Sequence, residues 1–115
     1  SYEAHCQRVL YSFEKLDEVA QVDGPKIVFA HIISPHPPFV FNAHGQPLEP
    51  ERSYYIGDGD DYQGSLEEYR TGYPAQVQFV NAKLQQVIES ILSKFVQSCP
   101  PPVVCRCKHV YILTG

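Results

Sequence analysis

His36 is the side chain best placed to do chemistry in this sequence. It lies in Ser34-Pro35-His36-Pro37-Pro38-Phe39, directly after residues 27–33, an apolar run broken only by His31. Such a short, continuous run rich in β-branched residues predicts a strand buried on both faces. Pro35 ends it, because proline cannot donate to a ladder and restricts the residue before it. The chain would then leave the sheet at the strand's carboxyl end, where open α/β sheets bind ligands. A proline-held imidazole there could donate to the oxygens on which charge builds during transfer of a sulfate or phosphate group. His31, within the run, and His44, beside Gly45 in a polar loop, are the secondary substrate-binding candidates.

A second cluster lies near the carboxyl end. Cys99, Cys105, Cys107 and His109 are four zinc-compatible residues, with 105, 107 and 109 on one face of any strand. Their spacing differs from the pairs two to four residues apart of common structural zinc sites, so they form only an alternative metal site. Asp58-Gly59-Asp60-Asp61 invites a calcium loop, but Gln63 and Tyr69 stand where an EF-hand needs glycine and glutamate. That stretch reads as a solvated acidic turn. Ser34 and Thr71 have no recognisable nucleophile context.

The elements that must position these residues follow from periodicity. Val9, Phe13, Leu16 and Ala20 repeat at helical spacing and predict a helix over 2–22, closed by Asp23-Gly24-Pro25. A buried strand over 26–34 comes next. Residues 35–72 have no sustained period and read as a long loop anchored by Tyr54, Tyr55, Tyr62, Tyr69 and Tyr73. A helix over 73–97 follows, with Pro74 in its first turn and Val77, Val80, Leu84, Val87, Ile88, Ile91, Leu92 and Phe95 on one buried face. Residues 102–112 could form a second, parallel strand.

The segment FAHIISPHPPFVF, followed by a glycine and then by YxxQVxFVNxKL, resembles the sulfatase-like branch of the alkaline phosphatase superfamily. It is most similar to bacterial membrane-anchored sulfatase-like hydrolases, kin to lipoteichoic acid synthases and phosphoethanolamine transferases. The resemblance covers about residues 11–102. It implies an α/β fold, here a partial alkaline-phosphatase-like sandwich, and a divalent metal (Zn, Mn, Mg or Ca) in the intact parent. It also implies that His36 contacts the anionic ester substrate, and that the parent is anchored in a bacterial membrane with its catalytic part outside the cytoplasm. The family's nucleophile, early acidic metal ligands and later Asp-His pair cannot be located. Arg106 and Lys108 fall where a buried strand should run. The expected organisation is therefore an internal piece of a catalytic domain over 1–104, without activity by itself, and an aberrant or divergent tail over 105–115.

Bulk properties agree with a piece of a globular protein. The chain has 115 residues, and its net charge of −4 argues against general attraction to nucleic acid or anionic membranes. No apolar run approaches the roughly 18 residues needed to cross a bilayer, and no targeting signal opens the chain, so the stretch itself reads as soluble. It begins at Ser1 and contains no methionine, which suits an internal fragment. Two other readings stand beside the hydrolase. One is a small non-catalytic interaction domain using the Tyr-rich loop; the other is a small zinc-binding protein using the carboxyl-terminal Cys/His cluster.

Overall fold

The computed structural model describes residues 1–99, 102 and 113–114. Two helices dominate it: α1 (Tyr2–Ala20) and α2 (Leu66–Ser98), lying against each other in a body of 56 × 20 × 20 Å. The radius of gyration, 16.9 Å, exceeds the about 13 Å expected of a compact chain this long. The 33-residue α2 sets this elongation.

Helix α1 forms where the apolar stripe predicts. Ser1 caps it by accepting the Ala4 N–H, and its Tyr2, Cys6, Val9, Phe13 and Leu16 side chains are buried. On the facing helix Val80 and Val87 are buried, while Leu84 and Ile91 pack at the edge of the same core. The helix ends are tied by Gln21 donating to the Ser90 hydroxyl and by Lys94 pairing with Asp23.

Three sequence expectations are corrected. First, the fold is not an α/β sandwich, and 26–34 is not a strand buried on both faces. Only β1 (His31–Ile32) is strand, and it pairs in parallel with β2 (Leu113–Thr114) through two residue pairs, the only sheet among the described residues. Residues 28–33 bury alternate positions: Val28 and Ala30 pack on the core edge and Ile32 lies inside, whereas Ile27 is 100% exposed and Phe29 78%. A sandwich needs a broad sheet with helices on both faces; here helices cover one face alone. The expected second strand over 102–112 lies almost wholly outside the described residues.

Second, α2 begins at Leu66, seven residues before the expected start at 73. Ser65 accepts the Glu68 N–H, and Glu67 and Glu68 sit in the first turn, where the helix dipole favours acidic groups. Pro74 is therefore interior. Its ring removes the bond that the Arg70 carbonyl would accept, and Arg70 is exposed, so water can take that oxygen. Third, α2 does not bury the whole expected face. Ile88, Leu92 and Phe95 are exposed, because α1 covers only one side of it.

The long loop is also more ordered than its composition suggests. Phe41 bridges Pro47 in antiparallel fashion, Asn42 Oδ1 accepts the His44 and Gln46 N–H groups, and residues Ile56–Gly59 form a 3-10 turn. Gly45, at φ +81°, lies so close to the Phe79 ring that a side chain there would collide.

Candidate functional site

The loop bearing His36 is held by one side chain, Gln76 of α2. Gln76 is fully buried. Its Oε1 accepts the Val40 and Phe41 N–H groups at 2.8 and 3.2 Å, and its Nε2 donates to the Pro35 and His36 carbonyls, each at 3.1 Å. One amide thus closes both ends of the segment 35–41, whose prolines supply no N–H of their own. The Ser34–Pro35 and Pro37–Pro38 peptide bonds are cis. Phe39 anchors the segment further against Tyr62, Tyr69 and Tyr73, with ring centroids 5.4–6.4 Å away.

His36 itself is half-buried. Its Nδ1 lies 3.3 Å from the Pro37 carbonyl, an acceptor only, so Nδ1 carries the proton and Nε2 remains for another partner. The 3-10 turn covers the ring at Gly59, where a Cβ would fall onto the imidazole. The proline-held imidazole expected from sequence is therefore present, but it emerges from a loop locked to a helix.

The other two histidine candidates lie elsewhere. His31 is exposed in β1 and lines a cavity against α1 that does not include His36. His44 is exposed at the tip of its turn. The three are not one constellation.

Two groups have roles that the sequence reading did not assign. Asp58, read as part of a solvated turn, is 1% exposed. It pairs with Arg52 Nη2 and accepts the Gln63 N–H, while Arg52 Nε bonds Glu68 at 3.3 Å and the guanidinium lies over the Tyr62 ring. Burial, with the Glu68 carboxylate, pushes the Tyr62 phenol up to about 12. His5 is the second. It is buried on α1 with the Tyr54 hydroxyl 3.3 Å from Nδ1 and no partner for Nε2. Desolvation, and then the neighbouring Arg8 charge, hold its pKa below the usual value. Asp58 left no signal in the sequence, whereas His5 sits one turn before Val9 on the apolar stripe, as Gln76 sits one turn before Val80. A polar residue on a core face needs a bonding partner.

No group of three or more His, Cys, Asp or Glu that could hold an ion exists among the described residues. Cys105, Cys107 and His109 lie outside those residues. Cys99 closes α2 and is disulfide-bonded. Cys6 is a free, buried thiol whose pKa burial raises, which suits an inert core residue. Among the described residues no helix is long and apolar enough to cross a membrane. Comparison with family models, curated proteins and solved structures finds no match to this chain.

Proposed function

We propose that this chain is the anion-contacting part of a larger hydrolase or transferase acting on sulfate or phosphate esters, with His36 touching the anion. The observation that carries this reading is the Gln76 clamp. A buried amide with four bonds to one loop fixes the position of a half-exposed imidazole, the preorganisation that electrostatic stabilisation requires. With Nδ1–H engaged by the Pro37 carbonyl, Nε2 is the ring nitrogen left to face the anion. Nucleophile and metal would come from other parts of the parent, which we place at a bacterial membrane with this unit outside the cytoplasm.

The test is an NMR titration of the His36 ring with inorganic sulfate and phosphate. A saturable shift of the His36 ring resonances is the expected result. Unchanged His36 resonances would remove the proposal. The isolated chain should not turn over aryl sulfates or aryl phosphates; chelator-sensitive turnover would contradict the assignment of the reactive groups to other parts of the parent.

A second reading, a non-catalytic interaction module, draws on the exposed apolar side chains. Tyr62 and Tyr69 pack inward on Phe39, whereas Tyr55 and Tyr73 of the Tyr-rich stretch are exposed, as are Ile27 and Phe29 on the extended segment. A monodisperse, cooperatively melting monomer favours the module, whereas aggregation relieved by Phe29→Lys favours a part of a larger body.

A further inference from the structure

We propose that α2 pairs, antiparallel, with α2 of a second copy of this chain, through a face that α1 leaves bare. On each copy the exposed Ile88 and Leu92 side chains enter a groove in the first half of the other copy's helix. Gln76, which holds the His36 loop, is buried and lies outside this face. The pairing therefore stands or falls independently of the anion role given to His36.

The helix carries two rows of contact residues. Val80, Leu84, Val87 and Ile91 belong to the core shared with α1. The second row, positions 74, 78, 81, 85, 88, 92 and 95, advances in alternating steps of four and three, the spacing of a coiled-coil seam. Every residue in it is exposed, and none is charged. The water-facing side of a helix ordinarily carries charge. An uncharged row that includes Ile88, Leu92 and Phe95 is instead the side of a helix that meets another helix.

The two halves of this row differ in relief, and that selects the occupant. Between Tyr73 and Gln85 the surface is hollow, a groove of about 650 Å³ lined by α2 alone. Gln78, Asn81, Ala82 and Gln85 surround one hole in it, and Pro74, Val77, Gln78 and Asn81 surround the next. Both sets have the i, i+3, i+4, i+7 spacing that receives a knob from a facing helix. Ile88 and Leu92, in the turns that follow, are the knobs. An antiparallel copy with its two-fold axis at Gln85 sets Ile88 opposite Ala82 and Leu92 opposite Gln78, each over a hole. A parallel copy would set Ile88 against Ile88 and leave the holes empty. The face thus complements itself in a single orientation, as an isologous interface requires. Glu89, on its flank, comes opposite Asn81 and meets no second acid. The row is about 32 Å long at about 1.5 Å per residue and one helix wide, at the small end of specific interfaces. Amide side chains line the holes, so the dimer should form on the order of 10–100 μM and dissociate below that.

The test is sedimentation equilibrium of the intact 115-residue chain across about 5–500 μM. A reversible monomer–dimer equilibrium is expected. Leu92→Glu should weaken it about tenfold or more, whereas Ser93→Glu, exposed but off the row, should change it by less than about twofold. Adding Gln78→Lys to Leu92→Glu should recover at least about threefold, because each introduced ammonium then faces the introduced carboxylate of the other copy. Within one helix those two positions lie about 21 Å apart, so only an antiparallel partner can supply the recovery. All three positions are exposed, so the variants should fold, which circular dichroism verifies. Should Leu92→Glu fail to fold, Ile88→Gln takes its place and should weaken the dimer several-fold. A chain that stays monomeric to about 500 μM would give the face to a partner of another kind and overturn the proposal. A dimer indifferent to these variants, or a loss that Gln78→Lys does not recover, would overturn it equally.

Discussion

Replacing Gln76 by leucine separates the clamp from the volume it fills. The Val40 and Phe41 amides, both on residues with 0% exposure, lose their only acceptor. Each buried donor left unsatisfied costs about 1–3 kcal/mol, so the pair costs about 2–6. The Pro35 and His36 carbonyls belong to half-buried residues and can take water, which adds little. We expect about 3–4 kcal/mol, a large fraction of the about 5–15 that holds a domain together. Urea unfolding should therefore show a midpoint lowered by about 2 M, at an m-value of about 1–2 kcal/mol/M. Amide exchange at Val40 and Phe41 should accelerate before global unfolding. Gln76→Glu sharpens the argument. Its carboxylate still accepts both amides but faces the two carbonyl oxygens that the amide nitrogen formerly satisfied, so it should destabilise at neutral pH and recover partly on acidification. A Gln76→Leu variant within about 0.5 kcal/mol of the parent would refute the clamp, and with it the preorganisation argument for His36.

Asp58→Ala removes a buried carboxylate from Arg52, and breaking such pairs costs about 3–5 kcal/mol. Arg52 keeps Glu68 and is one-fifth exposed, so about 2–3 kcal/mol in chemical denaturation is expected here, and a neutral result would show the pair to be incidental. Ile27→Lys should change stability by less than about 0.5 kcal/mol, whereas Ile32→Ala should cost about 2–4. Equal effects would mean that the alternation of exposure along this segment is wrong. His5 gives a pH dependence of definite sign. Because its folded pKa lies below the usual 6.5, the folded state resists the proton that the unfolded chain accepts. Its contribution is complete above pH 6.5 and is lost as pH falls from there toward the folded value. In His5→Gln the melting temperature should fall less over that interval; an unchanged slope would exclude His5 as its source.

The helix α1 was legible because its apolar residues recur on one stripe and nothing in 2–20 interrupts it. The core half of α2 was legible for the same reason. Its true start was written in Ser65 and Glu68, a capping pair, but Pro74 outweighed it, since a proline interior to a helix is the rarer outcome. Of the expected loop anchors, Tyr54 packs on Tyr2 and Tyr62 on Phe39, whereas Tyr55 is exposed and Tyr69 and Tyr73 belong to α2. The apolar run 27–33 misled for a physical reason: composition records that side chains avoid water, but not whether this chain supplies anything to cover both faces. Ile27 and Phe29 remain bare because helices lie on one side only.

What the sequence determined by itself is therefore local: two amphipathic helices, the exit of an extended segment into prolines, and an imidazole among them. Tertiary structure alone decided that Gln76 would grip the 35–41 loop, that Asp58 would sink beneath Arg52, and that His5, Arg8 and His31 would share a cavity without His36. Periodicity is a property of neighbours along the chain, and hydrogen bonds between residues 35 or more positions apart leave no trace in it.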